Sequence, residues 1–460
     1  MTSHKRAALW IITLLSLVVV CAAAATMFVR ADNGPVERTV ALSSMPPWQA
    51  TLDGRAGRLY ITGFGVSGSG GRTVNVVDTT TGRLIATAAA NSSPEVQPLL
   101  DARTHHLFLF GDNGGAVLDT TSERVAATVP VGANADAAAL DVTDNHLFVT
   151  DRVNDRVSMI DTRSMTLLKT TPVGHAPEVV AVDETTHRVF AFNALDASIS
   201  VLDARDGRVL HTTRIARVAG GGAPIISGGL TVDEATARVF IVDSNGGVVT
   251  TLDAANGAVV GAARAGQAAG ALVVDDRRGR AIVVNTISNS VSILDATTDR
   301  ALRTTHVGKI PHALALDRQT GHAFVVNYGD GTVSVLDDVT GALIRTDHAG
   351  ISPEAVAVDE RTGRAFVIAN GNGYGVVTVL DTRSGAILRS VRVGERPDTV
   401  VVDKQAGRAL IMSRYSVNDP APDRWGWLPE WLRQRLPWLT PRPTPTGAPT
   451  GSIRILDASR

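Results

Sequence analysis

Residues 353–394 read PEAVAVDERTGRAFVIANGNGYGVVTVLDTRSGAILRSVRVG and contain four short apolar segments separated by three turns. The segments are rich in Val, Ile and Leu, which favour strands. The Thr-Gly, Asn-Gly and Ser-Gly pairs between them are typical of tight turns. We therefore predict a four-stranded antiparallel unit whose strands lie at residues 354–358, 364–368, 376–380 and 386–393.

The same unit recurs along the chain. Strands that end in Val/Ile-Leu-Asp or a close variant do so at Asp78, Asp119, Asp161, Asp203, Asp253, Asp295, Asp337, Asp381 and Asp457. A second series of the type Ala-Val-Asp falls at Asp53, Asp101, Asp141, Asp183, Asp233, Asp275, Asp317, Asp359 and Asp403. Both series share a period of about 42 residues, and a four-stranded unit of about 40–45 residues is typical of a propeller blade.

The two ends of the chain predict ring closure. The ninth unit stops at Asp457, so it lacks a fourth strand, and residues 35–43 (PVERTVALS) have the pattern of the missing one. A strand taken from the other terminus closes the ring and protects two sheet edges. We predict an all-β, nine-unit propeller over residues 35–460. A blade number of seven or eight is the alternative, because propellers usually have about 4–8 blades and the second unit, 96–132, is the least typical.

The first residues have the pattern of an export signal. Lys5 and Arg6 precede an uncharged apolar run over residues 7–29, and Arg30 closes it. A helix of that length would span a bilayer of about 30 Å, while small residues at 22–25 offer a cleavage site. We predict a membrane anchor or a signal peptide over residues 1–31, with the propeller on the extracytoplasmic side or secreted.

Composition excludes several function classes. The 44 Lys and Arg residues balance 45 Asp and Glu, which is unlike the basic surface of a nucleic-acid binder. The single cysteine excludes an internal disulfide, a cysteine-based zinc site, an iron–sulfur cluster and covalently attached haem. We expect no nucleic-acid partner and no cofactor, with a divalent cation as the one alternative.

A second-strand motif connects the chain to a known family. The strand ends in an aromatic or aliphatic run followed by Asn, as in FVVN at 324–327, IVVN at 282–285 and FAFN at 190–193. In this respect residues 36–457, apart from one insertion, resemble the YVTN-type β-propeller repeat proteins of bacteria. The resemblance implies an exported or surface propeller, with lactonase-like, nitrite-reductase-like and amine-dehydrogenase-like relatives.

One register of the repeat is the candidate site. Five residues before each Ala-Val-Asp aspartate the chain enters the innermost strand of a blade, at the mouth of the central channel. Carboxylates that converge there could bind a cation or a positively charged ligand. The alternative is that they only cap turns around a water-filled channel. The predicted ligand-binding set is Asp136, Glu178, His312, Glu354 and Asp398 at this position, together with Glu95, which lies beside Val96 of the second unit.

Other polar residues are interpreted as structural. The repeat aspartates precede turns, where a carboxylate accepts backbone N–H bonds. The histidines at 105, 106, 187 and 322 fall in first hairpin turns, where we expect them to be exposed, and they lack the spacing of a helical zinc site. The sequence identifies neither a catalytic set nor a metal-ligand set.

An insertion over residues 415–451 interrupts the last unit. It contains four of the six tryptophans, and its apolar residues have the spacing of an amphipathic helix that is followed by a proline-rich return segment. Such a face contacts a membrane or a partner, or it folds back as a cap on the propeller. The residues concerned are Trp425, Trp427, Trp431 and Trp438.

These observations favour an exported, membrane-anchored propeller that serves as a binding scaffold rather than an enzyme. Its partner would be a protein or a small molecule at the channel face, and residues 7–29 would contact the membrane. The alternative is a metal-assisted hydrolase of lactonase type that uses the carboxylates at the channel mouth.

Overall fold

The computed structural model describes residues 36–42, 47–63, 73–89, 96–111, 114–129, 131, 135–215, 230–371, 374–394, 396–416 and 450–457. These residues form nine antiparallel sheets of four strands each, and they contain no helix. The sheets are the blades of a β-propeller, so the predicted all-β propeller of nine units is confirmed.

Blades 1 to 3 follow one another along the chain, and in each the four strands pair in sequence order. Blade 1 comprises β2 (Pro47–Asp53), β3 (Arg58–Gly63), β4 (Thr73–Asp78) and β5 (Arg83–Ala89). Blade 2 comprises β6 (Leu99–Asp101), β7 (His106–Gly111), β8 (Gly114–Asp119) and β9 (Arg124–Val129). Blade 3 comprises β10 (Ala135–Asp141), β11 (His146–Asp151), β12 (Arg156–Asp161) and β13 (Thr166–Pro172).

Blades 4 to 6 repeat this order. Blade 4 comprises β14 (Pro177–Asp183), β15 (Arg188–Asn193), β16 (Ser198–Asp203) and β17 (Val209–Arg214). Blade 5 comprises β18 (Leu230–Asp233), β19 (Arg238–Asp243), β20 (Val248–Asp253) and β21 (Val259–Arg264). Blade 6 comprises β22 (Ala269–Asp275), β23 (Arg280–Asn285), β24 (Ser290–Asp295) and β25 (Ala301–His306).

Blades 7 to 9 complete the ring, and blade 9 takes its fourth strand from the other end of the chain. Blade 7 comprises β26 (Pro311–Asp317), β27 (His322–Asn327), β28 (Thr332–Asp337) and β29 (Leu343–His348). Blade 8 comprises β30 (Ile351–Asp359), β31 (Arg364–Asn370), β32 (Gly375–Asp381) and β33 (Ile387–Val393). Blade 9 comprises β34 (Pro397–Asp403), β35 (Arg408–Ser416), β36 (Thr450–Asp457) and β1 (Val36–Leu42).

Closure through the N-terminal strand is confirmed. β1 pairs with β36 in antiparallel register, and its Val40 and Leu42 side chains are buried against Met412 and Ile453 of the same blade. Each first strand contacts the first strand of the next blade, and β34 of blade 9 contacts β2 of blade 1. The alternatives of seven or eight blades are wrong. The atypical second unit forms a blade with a first strand of only three residues.

The repeat aspartates end strands and organise turns, as predicted. In blade 8, Oδ1 of Asp359 accepts the backbone N–H groups of Arg361 and Thr362 at 3.1 and 3.3 Å. The following Gly363 has a φ of 65°, a conformation that costs glycine little. These local bonds explain why an Asp recurs wherever a first strand ends.

The asparagine of the second-strand motif lies in a buried polar ladder. In blade 7, Nδ2 of Asn327 donates to Thr332 Oγ1 and to Ser334 Oγ, both at 2.9 Å. Ser334 Oγ lies 3.0 Å from Thr346 Oγ1 on the outer strand. Equivalent bonds extend from Asn193 in blade 4 and from Asn285 in blade 6. The ladder ties three strands of a blade together without a charge.

The hydrophobic core lies between neighbouring blades. Phe366 and Val379 of blade 8 pack against Val400 and Ile411 of blade 9, and similar clusters occur at the other blade interfaces. Side chains of one blade thus complete the burial of side chains in the next blade.

Several predicted elements lie outside the described residues. They are the segment 1–31, Glu95, and the four tryptophans of the insertion. Within the part of the chain that the structure describes, no helix is long and apolar enough to cross a membrane.

Candidate functional site

The predicted site register coincides with a β-bulge at the start of the innermost strands. In seven blades the pairing of the first strand with the second shifts at this point, so an extra residue leaves the ladder. A bulge bends the strand and re-aims its side chain, which is why bulges often border binding sites. The residues at this position are Trp48, Asp136, Glu178, Gly270, His312, Glu354 and Asp398.

The structure brings two of the predicted residues together across a blade interface. Arg152, in the turn between β11 and β12 of blade 3, forms an ion pair of 3.0 Å with Glu178 in blade 4. Asp136 lies beside both groups. Desolvation raises the pKa of Asp136, the Arg152 guanidinium and backbone N–H oppose this rise, and the Glu178 charge adds to it. Arg152 thus offsets part of the negative charge that Asp136 and Glu178 place at this end of the two blades.

The other predicted residues occupy the same register in later blades. His312 is exposed at its bulge, and its ring centroid lies 6.4 Å from that of Tyr328 in the next turn of blade 7. Glu354 and Asp398 are half-buried. That these residues bind one ligand together stays a prediction.

Acidic and amide side chains of neighbouring turns hold the segments that lead into the bulges. Before the blade 4 bulge, the backbone N–H of His175 donates to Asp196 at 2.7 Å, and that of Ala176 donates to Asp155 at 2.8 Å. Before the blade 7 bulge, equivalent N–H groups donate to Asp330 and Asn289 at 2.9 and 2.8 Å. The entry to each of these first strands is therefore fixed by two blades.

A histidine adds a titratable group to this end of blades 3 and 4. His175 Nδ1 lies 2.7 Å from Oδ2 of Asp155. The hydrogen bond to Asp155 and the charges of Asp196 and Asp155 raise the pKa of His175.

Exposed apolar side chains share this end of the blades. Val153, Leu195 and Ile287 occupy the same position in the turns between second and third strands of blades 3, 4 and 6. They are 68%, 67% and 67% exposed, whereas no other large hydrophobic among the described residues exceeds 49%. We call this end of the blades, with these three residues and the bulge residues Asp136 and Glu178, the loop face.

The opposite end of the blades contains a cluster that the sequence analysis missed. A carboxylate oxygen of Asp141, one of Asp144 and a ring nitrogen of His187 all lie within 4.8 Å of one another. Asp141 ends the first strand of blade 3, Asp144 lies in the turn that follows it, and His187 lies in the first turn of blade 4. The repeat period hid this cluster, because Asp141 looks like every other turn aspartate.

The prediction that the first-turn histidines are exposed is wrong for three of the four. His106, His187 and His322 are half-buried, because their rings reach into the interface with the next blade or the preceding one. Nδ1 of His106 and of His322 bonds to backbone carbonyls of the next blade, at 3.2 and 2.8 Å. His105 alone is exposed.

No protein-family model matches the sequence, and no curated protein matches it at a significant level. Solved propellers are similar in fold. The dihydro-heme d1 dehydrogenase NirN, in complex with DHE, aligns with a TM-score of 0.55 and 15% identity over 80% of this chain and 81% of that one. Sqt1 of Saccharomyces cerevisiae aligns with a TM-score of 0.50 and 12% identity over 67% of this chain and 89% of that one. BamB of Moraxella catarrhalis aligns with a TM-score of 0.49 and 17% identity over 70% of this chain and 94% of that one. At these identities the likeness shows the fold alone.

Proposed function

We propose that the protein is a binding scaffold that docks a protein partner on the loop face. The observation that carries the proposal is the shared position of Val153, Leu195 and Ile287, whose side chains are about two-thirds exposed. Exposing a large apolar side chain at one repeated position has a hydrophobic cost that a partner would remove. Scattered exposure would need no such explanation.

The charge around these side chains indicates the chemistry of the partner. Asp136, Glu178 and Asp196 lie next to the exposed apolar residues of blades 3 and 4. The two arginines that border the blade 3 turn are already paired, Arg152 with Glu178 and Arg156 with Asp151. The partner that fits is a polypeptide segment with apolar side chains flanked by lysine or arginine, because charge complementarity sets specificity and association rate.

A peptide selection tests this proposal. A displayed library of random peptides is selected on the purified wild-type domain and then measured against a triple variant, Val153→Ser, Leu195→Ser and Ile287→Ser. The matched control carries Leu168→Ser, Leu210→Ser and Leu302→Ser, which replace exposed apolar residues on outer strands.

We expect the enriched peptides to combine apolar and basic residues. They should bind the control variant as tightly as the wild type, and their affinity for the triple variant should be at least tenfold lower. The proposal is wrong if no peptide is enriched, or if the triple variant binds the enriched peptides like the wild type.

Membership of the YVTN-type family and export belong to the same proposal. The buried ladders of Asn193, Asn285 and Asn327 give the family motif a physical role here, which supports the membership. The apolar run of residues 7–29 supports an anchor or a signal at the membrane. A reporter fused after residue 460 should be active outside the cytoplasm and sediment with membranes if the run is retained.

The metal-assisted hydrolase of lactonase type stays the alternative. It requires a metal at the bulge carboxylates, whereas Glu178 is already neutralised in part by Arg152. Stoichiometric metal that is lost when Glu178 and Glu354 are both changed to Gln would favour the hydrolase over the scaffold.

A further inference from the structure

We propose that Asp141, Asp144 and His187 form a binding site for one divalent transition-metal ion of the zinc class, which joins blade 3 to blade 4. This site lies at the other end of the first strands from the loop face. It is independent of the proposed partner binding.

The donor set has the composition and spacing of a metal site. Two carboxylates and one imidazole suit Zn²⁺, which binds both at about 2.0–2.2 Å, so neighbouring ligand atoms lie roughly 3 Å apart. Nδ1 of His187 already lies 2.8 Å from Oδ2 of Asp144. An oxygen of Asp141 lies within 4.8 Å of both partners. Three protein ligands leave a position for water, as in open zinc sites.

The buried carboxylate of Asp141 points independently to a missing partner. Asp141 is fully buried, and its Oδ1 accepts the backbone N–H of Asp144 at 2.9 Å. Among the described residues, its Oδ2 has no hydrogen-bond partner although it is excluded from solvent. A buried carboxylate oxygen without a partner is costly, and a bound cation would remove that cost.

In some blades a side chain satisfies the equivalent oxygen. Oδ2 of Asp403 accepts the hydroxyl of Thr79 at 3.1 Å, and Oδ2 of Asp275 accepts Nη1 of Arg278 at 2.7 Å. Asp141 has Ala204 where Asp403 has Thr79, so no hydroxyl reaches it. In blade 3, as in blades 2, 4, 7 and 8, this oxygen has no hydrogen-bond partner among the described residues.

A comparison with blade 4 shows that an unpartnered aspartate oxygen does not by itself make a metal site. Asp183 also has a buried Oδ2 without a partner among the described residues. Its neighbouring turn positions hold Thr186 and Ala237, which bring no further carboxylate or imidazole. Among the described residues, only the cluster of Asp141, Asp144 and His187 combines an unpartnered aspartate oxygen with two more ligands.

The repeat supplies substitutions that should preserve the fold. His187 has a φ of 54° at a position where most blades have glycine, so His187→Gly relieves backbone strain while it removes a ligand. His105 occupies the same position in blade 2 with a φ of 59°, which makes His105→Gly the matched control. Asp144→Thr introduces the residue that blades 4 and 7 have there, as Thr186 and Thr320.

The experiment is calorimetric titration of the metal-stripped full chain with ZnCl₂. Absorption of the Co²⁺-loaded protein serves as a second readout of imidazole and carboxylate coordination. We expect one ion per chain for the wild type and for His105→Gly. Affinity should fall at least tenfold in His187→Gly and in Asp144→Thr, and the visible Co²⁺ bands should be lost with it.

The proposal fails if the wild type binds no Zn²⁺. It also fails if both ligand variants bind as tightly as the wild type, because the ion is then held by other residues. Melting curves without metal separate loss of the ligand from loss of the fold, since a variant that has lost only a ligand still unfolds in a cooperative transition.

Discussion

Asp338 of blade 7 lies against Asp275 of blade 6, and both carboxyl groups are fully buried at the interface between the two blades. Nη1 of Arg278 is 2.7 Å from Oδ2 of Asp275 and 3.7 Å from Oδ2 of Asp338. The guanidinium of Arg278 thus forms ion pairs with both carboxyl groups. Burial, and the hydrogen bond to Asp275, raise the pKa of Asp338 to about 7, so the pair holds one proton near neutral pH.

The first prediction concerns stability and pH at this pair. An unfolded aspartate has a pKa near 3.9. Between about pH 4 and pH 7 the folded chain therefore holds a proton that the unfolded chain has lost, and the free energy of unfolding should fall as pH rises through this window. The loss is up to about 4 kcal/mol from a shift of roughly three pKa units. The pKa of Asp275 is lowered, so protonation of Asp275 affects the free energy of unfolding only below this pH window.

The test is denaturant unfolding of the wild type and Asp338→Thr from pH 4 to pH 8. Threonine stands at this position in blades 1, 2, 3 and 8, for example as Thr79 and Thr382, so the variant should fold. The decline between pH 4 and pH 7 should disappear in Asp338→Thr and persist in the surface control Asp276→Asn. An equal decline in the wild type and in Asp338→Thr would contradict the pairing.

The fold could be predicted from the sequence because its chemistry is local and repeated. Each first-strand aspartate, such as Asp359, binds the N–H groups of its own turn, so the signal lies within four residues of the chain. The closing strand was also predictable, because the last unit ends one strand short. The blade number was not certain in advance, since the first strand of blade 2 has only three residues.

The candidate sites were predictable only in part. A common register for Asp136 and Glu178 follows from counting residues, but their shared contact with Arg152 depends on how two blades meet. The cluster of Asp144 and His187 joins residues 43 positions apart in neighbouring turns. No pattern within one unit marks such a contact, because the distance is set by the packing of one blade on the next.

The second prediction concerns closure. The side chain of Leu42 is fully buried in the interface cluster of blade 9, whereas Thr39 on the same strand is exposed. Leu42→Ala should lower the free energy of unfolding by about 2–5 kcal/mol, and Thr39→Ala should change it by less than about 0.5 kcal/mol. Thermal and denaturant melts measure both. Equal small effects would show that β1 does not seal the ring.

The third prediction concerns the buried ladder of blade 7. Asn327→Ala removes two hydrogen bonds to Thr332 and Ser334 and leaves a cavity. It should lower the free energy of unfolding by about 2–4 kcal/mol. Asn256→Ala, in an exposed turn of blade 5, is the control and should cost about 1 kcal/mol or less. If both variants unfold alike, the asparagine of the family motif has no role in holding the strands together.

The last prediction concerns the trio on the loop face, where two substitutions should move one pKa in opposite directions. Arg152→Gln removes the positive charge beside Asp136, while Glu178→Gln removes the negative one. The pKa of Asp136 should rise in Arg152→Gln and fall in Glu178→Gln, because the first variant removes an attractive charge and the second removes a repulsive one. NMR titration of chains labelled with ¹³C at the aspartate carboxyl measures both shifts, with Arg163→Gln, at the other end of blade 3, as the control. If both variants shift the pKa in one direction, the three groups do not act on one another as charges. The acidic character that selects a basic partner would then have to come from other residues of the loop face.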